Sequence, residues 1–151
     1  MQKQIFFLSL LLLPLSTLAS SLTKSCSDIS NAKAQLCVTV EQPTLQCSED
    51  FNGQSYSSCT LDTDFSISTD YDGSGYVEAT VDCFANIQYK EAGSPIWRPY
   101  PSSDQSKESL FPLGAKTSSM TLFFYFNSMQ KAVNVRVTSV ECSARSPIAY
   151  Q

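Results

Sequence analysis

The chain has no histidine among its 151 residues. Serine–histidine and cysteine–histidine catalysis both need a group that gives and takes protons near neutral pH, so no common catalytic triad can be built here, nor any zinc site with an imidazole ligand. Also missing is any C-x-x-C pair: Cys26, Cys37, Cys47, Cys59, Cys83 and Cys142 are spaced too widely for the usual thiolate zinc and iron–sulfur patterns. The apolar run over residues 5–13 ends at Pro14, far short of the ~20 residues that a membrane-spanning helix requires. Helical periodicity is weak and confined to residues 28–36, and no internal repeat is visible. Finally, no lysine or arginine falls between Lys33 and Lys90.

What is present begins with an export signal. Residues 1–19 combine a basic start at Lys3, the short apolar run and a small-residue end at Thr17-Leu18-Ala19, the three parts of a secretory signal peptide. The expectation is cleavage at or within two residues of Ser20, leaving one exported domain over residues 20–151, secreted or periplasmic, with no transmembrane segment. Six cysteines delivered to an oxidising compartment read as a framework of up to three disulfides. Cys83 and Cys142 lie on apolar faces of two long candidate strands and are expected to bridge across the core. Cys37 shares a polar face with Thr39 and Glu41 and is expected to bridge near the surface.

Charge is divided along the chain. Glu41, Glu49, Asp50, Asp62, Asp64, Asp70, Asp72, Glu78 and Asp82 occupy the stretch that has no base, whereas from Lys90 onward seven bases face four acids. An acidic block repels phosphate backbones, so nucleic acid is excluded as the expected partner and a cation or a basic protein surface is favoured. The alternative is a solvated acidic face with no partner.

Alternation with period two supplies the fold class. Val77, Ala79, Val81, Cys83, Ala85, Ile87 and Tyr89 alternate without a break against polar neighbours, as do Cys59, Leu61, Thr63, Phe65 and Ile67 upstream. These are long half-buried strands, and the turn residues 70–75 between them predict a hairpin. If apolar residues stay together, that hairpin sets Asp82 opposite Asp64 or Asp62, an unfavourable like-charge pair unless a cation lies between them. Further strands are expected over residues 36–41, 120–126 and 132–142. In the last, the apolar parity changes near Thr138-Ser139, which calls for a bulge. In residues 120–126 both faces are apolar, so both need cover, from a central position or from a partner. The proline- and serine-rich residues 92–114 read as loop or short edge strand. The sum is an all-β, antiparallel, disulfide-stabilised β-sandwich. Cys83, Trp97 and Cys142 have roughly the order and spacing of the cysteine–tryptophan–cysteine set of variable-type immunoglobulin domains, an architectural hint only. Prolines flank Trp97, and Val140 stands where that pattern carries tyrosine.

Two segments are candidate sites. Asp70, Asp72, Ser74, Gly75 and Glu78 match the first nine positions of an EF-hand-type loop, but Val81 replaces the bidentate glutamate and the flanks are strand-like. The alternatives are a weak extracellular-type calcium site, through Asp70, Asp72, Ser74 and Glu78, and a plain turn. Around Trp97, Arg98 and Tyr100, prolines hold the residue types that dominate interfaces. That segment reads as a partner surface, as a loop with Trp97 capping the core, or as a sugar platform. The expected function is binding of a protein or glycan without catalysis and with no cofactor beyond weak calcium. Contrasting possibilities are a carboxylate glycan hydrolase, favoured by a concave carboxylate pair, and a periplasmic inhibitor of a cationic hydrolase, steered by the acidic block.

Overall fold

The computed structural model describes residues 23–127 and 129–146 and the backbone of 149–150; the expected signal segment and its cleavage point lie outside the described residues. Nine strands follow in chain order: β1 Thr23–Asp28, β2 Gln35–Val40, β3 Thr44–Glu49, β4 Tyr56–Thr69, β5 Tyr76–Glu91, β6 Trp97–Leu110, β7 Ala115–Tyr125, β8 Ala132–Arg145 and β9 Ala149–Tyr150. No helix occurs among the described residues, and none is long and apolar enough to cross a membrane. The segment of weak helical period is a β-turn region between β1 and β2, where Ile29 and Ala34 are buried.

All pairing is antiparallel. The path runs β1-β2-β4-β8-β5-β6, with β3 and β7 also on β4 and β9 on β5. The link between β4 and β8 is a single pair, Tyr56↔Ala132, so the sheet is continuous but nearly divided into two groups. Their apolar faces close on one core, in which Leu61, Phe65 and Ile67 of β4 and Val77, Val81 and Ile87 of β5 are fully buried together with Leu122 and Phe124 of β7. The seam between β6 and β7 is closed by side chains: Tyr100 and Ser102 donate their hydroxyls to the carbonyls of Tyr125 and Phe123, each at 3.0 Å. The fold is thus all-β, antiparallel and disulfide-stabilised, as the alternation predicts.

Partner choice differs from the predicted hairpin. β4 pairs with β2, β3 and β7 and at one residue with β8, and β5 with β6, β8 and β9; β4 and β5 do not pair with each other. The connection over residues 70–75 crosses from one group to the other. It is anchored by Tyr71, which is buried, accepts from Leu113 N at 2.8 Å and donates its hydroxyl to Ser74 O at 3.0 Å. Burial of the Tyr71 ring and its bonds to Leu113 and Ser74 hold this connection against the core as it crosses. The opposed carboxylates therefore do not arise: Asp64 lies opposite Ser119, Asp62 accepts from the Thr121 hydroxyl at 2.6 Å, and Asp82 lies between Gln105 and Ser143.

Residues 97–110 form a strand of 14 residues where loop or a short edge strand was expected. β6 pairs with β5 alone, and Pro99 and Pro101 share one parity opposite Gln88 and Asn86, so both can turn the nitrogen that lacks a hydrogen toward the outer edge. In β8, Ser139 opposes Asn86 and Val137 opposes Ile87. Thr138 is the extra residue, its hydroxyl donating to Asn86 O at 2.9 Å. The bulge moves Val140, Cys142 and Ala144 inward after Val133, Val135 and Val137, which is the parity change seen in the sequence.

Three disulfides join adjacent strands: Cys26–Cys37 across β1 and β2, Cys47–Cys59 across β3 and β4, and Cys83–Cys142 across β5 and β8. No described cysteine is free. The pairing expected for Cys83 holds, but the bridge lies along the sheet between directly opposed residues instead of across the core. The immunoglobulin hint, which needs an inter-sheet bridge packed on the tryptophan, therefore fails. Cys37 bridges on the partly exposed face, as expected.

One polar atom in the core is unsatisfied. Thr63 is fully buried on β4, and its hydroxyl has no hydrogen-bond partner. A buried hydroxyl left unpaired costs about 1–3 kcal/mol, and valine has nearly the same shape. Thr63→Val is expected to raise stability by about 1 kcal/mol, read as a higher denaturant midpoint at unchanged slope. A lower midpoint would contradict it.

Candidate functional site

The outer face of β6, β5 and β8 carries alternate residues of three long strands in one register, so residues distant in sequence meet in rows. One row is Ser103, Phe84 and Glu141, followed by Gln105, Asp82 and Ser143. Together with Asp104, Thr23 and Ser25, these residues line an open depression of about 620 Å³. Phe84 sits in it 43% exposed. An outward phenylalanine at this level is unusual for a strand whose opposite face already buries Cys83 and Ala85, because each exposed ring leaves apolar area in water.

The carboxylates around Phe84 do not converge. Asp82 pairs with Arg145, Oδ2 to Nε at 3.0 Å, Asp104 accepts the backbone N–H of Gln105 at 2.8 Å, and Glu141 is exposed. Among the described residues no three His, Cys, Asp or Glu side chains form a group that could hold a metal ion. The depression thus centres on Phe84, with the Glu141 carboxylate beside it and the Asp82–Arg145 pair in the next row.

The three residues singled out around the prolines are separated by their alternation. Trp97 faces outward opposite Lys90, and its ring lies 4.9 Å from Lys90 Nζ and 4.2 Å from Arg136 Cζ. Arg98 is exposed and pairs with Glu91 at 3.2 Å. Tyr100 faces inward, where its ring meets Phe124 at 5.6 Å and Phe126 at 5.8 Å. Core capping therefore belongs to Tyr100, not to Trp97, and the three do not make one surface. Their strand geometry is the reason: neighbours at odd and even positions point to opposite sides.

The EF-hand-like loop is occupied by chain-reversal contacts. The Asp70 carboxylate accepts the backbone N–H of Gln35, tying the loop to β2. Gly75 has φ +94°, which the turn requires, and a Cβ on Gly73 would strike the Tyr71 ring. Asp70, Asp72 and Glu78 are not brought into a metal-holding group, and Ser74 uses its carbonyl for Tyr71.

Sequence reasoning missed Phe84 and Glu108. Phe84 falls among polar residues on the outward parity of β5, and its meaning depends on the neighbours that β6 and β8 bring. Glu108 is buried on β6 with Lys116 and Ser118 of β7 against it. Burial pushes its carboxyl up, but the hydrogen bonds of Lys116, Ser118 and Ser106 and the Lys116 charge outweigh this and hold it below its usual value. Of the β7 aromatics, the inner-face Phe124 is covered, whereas Phe123 and Tyr125 stay 50% and 65% exposed on the outer side, so the cover expected for that face is not supplied by the described residues. No protein-family model matches this sequence, and no curated protein matches it.

Proposed function

We propose that the chain is an exported, disulfide-stabilised protein that works by binding, without catalysis, and that its contact surface is the depression around Phe84. The observation that carries this reading is the half-exposed Phe84 flanked across the sheet by Ser103 and Glu141, with the Asp82–Arg145 pair in the next row. A partly desolvated aromatic anchor within a polar rim is the usual plan of a docking site. Glu141, directly opposite Phe84, supplies the charge beside the ring, so the fitting partner presents a basic residue to it. Hydrolysis of glycans by paired carboxylates has less support. Asp82 is neutralised by Arg145, and exposed carboxylates without an apolar cleft lack the environment that would hold one protonated.

Affinity capture with the mature protein and with a Phe84→Arg variant as baits tests the proposal. The expected result is a partner of basic charge, retained by the wild type, lost by the variant, and released by salt as a charge-steered complex should be. Recovery of the same proteins on both baits would overturn the assignment of the surface. Release of reducing ends from a polysaccharide by the purified protein would overturn the non-catalytic reading.

A further inference from the structure

At the far end of the same outer face, Trp97, Lys90 and Arg136 meet from three different strands. Lys90 Nζ and Arg136 Cζ both lie over one indole ring. The register surrounds them with neutral residues: Gln88 opposite Arg136, Asn134 opposite Lys90, and Pro99 opposite Gln88. Neither cation has a carboxylate within ion-pair reach among the described residues, whose ion pairs are Arg98–Glu91, Lys116–Glu108 and Arg145–Asp82. Two like charges on one ring, uncompensated in a chain of net charge −4, repel each other. Aromatic contact offsets only part of that cost, and an anion would remove it.

The geometry points to a second binding site, independent of the Phe84 surface, in which Lys90 and Arg136, gathered over the Trp97 ring, hold the carboxylate or sulfate of an acidic saccharide. Arg136 is already oriented: its Nε and Nη2 donate to Gln88 Oε1 at 3.1 and 2.7 Å. That leaves the Gln88 amide nitrogen, and the Asn134 amide across from Lys90, to bond sugar hydroxyls. An acidic peptide fits less well. On this face the backbone groups of β5 are used by β6 and β8, and Pro99 and Pro101 remove donors from the β6 edge beside Trp97, so a peptide strand has no ladder to extend. Recognition must then come from side chains, the mode that suits a saccharide.

Calorimetric titration of the mature protein at physiological salt tests this with four probes: heparin for sulfate, polygalacturonate for carboxylate, dextran as the neutral polymer and polyglutamate as the acidic peptide. At least one acidic polysaccharide is expected to bind and dextran not to; which of the two binds identifies the anionic group. Arg136→Gln and Lys90→Gln should each weaken binding, and the pair together by about tenfold or more, since charge-assisted contacts are the strong ones. The melting temperature reports that the variants remain folded. Lys107→Gln, a basic residue elsewhere on the face, should leave binding unchanged. The inference is overturned if neither acidic polysaccharide binds, if polyglutamate binds as tightly, if the folded double variant binds normally, or if Lys107→Gln weakens binding equally.

Discussion

Replacing Cys83 and Cys142 together by alanine is expected to destabilise the protein by about 4 kcal/mol, the largest effect of any bridge. The bridge closes a chain separation of 59 residues, against 11 and 12 for Cys26–Cys37 and Cys47–Cys59. On chain entropy alone the short loops are worth roughly 3 kcal/mol each, because the loop term grows only with the logarithm of length. Position adds to the difference. Cys83 and Cys142 are 1% and 5% exposed, so alanine also leaves a small cavity between β5 and β8, whereas the Cys26–Cys37 bridge borders solvent. The loss is a large share of the 5–15 kcal/mol that domains usually possess, and the melting temperature should fall by on the order of 10–15 °C. Denaturant unfolding of the three double-alanine variants checks the ranking. A greater loss on removing Cys26–Cys37 would show that the β5–β8 bridge does not constrain the unfolded chain as its length implies.

Period two made the inward faces of β4 and β5 legible residue by residue, because a buried face tolerates no interruption and Cys59 to Ile67 and Val77 to Tyr89 contain none. The Thr138 bulge was legible for the same reason: only an extra residue lets valines of both parities face one core. Pairing was not legible. Alternation says which face is buried but not which strand lies alongside, and the connection at Tyr71 looked like a turn because its aspartates and glycines suit one. β6 was hidden by its composition. Its inward positions carry Tyr100, Ser102, Asp104, Ser106 and Glu108, which have little of the apolar or β-branched character that marks a strand. They can be polar because the β6–β7 seam is closed by hydrogen bonds to side chains. The candidate sites depend on that unread strand. Trp97 meets Lys90 and Arg136, and Phe84 meets Ser103 and Glu141, only once β6, β5 and β8 are set in register.

Glu108→Ala is expected to cost about 2–3 kcal/mol, the second largest effect, since it removes the acceptor at the centre of the β6–β7 seam. Lys116 donates to Oε2 and Ser118 to Oε1, the latter at 2.8 Å. The Glu108 side chain is 7% exposed, but that of Lys116 is 50% exposed. Truncating the glutamate therefore leaves a cation that can turn to water, which keeps the cost below that of a fully buried broken pair. The larger part of the loss comes from the Ser118 hydroxyl and from the space left by the truncated side chain. Glu108→Gln retains shape and a carbonyl acceptor and should cost about half as much. Acid provides an independent check. The folded state holds this carboxyl below its ordinary value of 4.5, so the folded protein binds the proton less readily than the unfolded chain. Its contribution is then complete above that value and disappears as pH falls through the lower folded value. Wild-type stability should decline below about pH 4.5 more steeply than that of Glu108→Gln, which has no proton to take up at this position. Parallel pH profiles for the two proteins would show that the seam is held by packing and neutral hydrogen bonds, with the Glu108 charge contributing nothing.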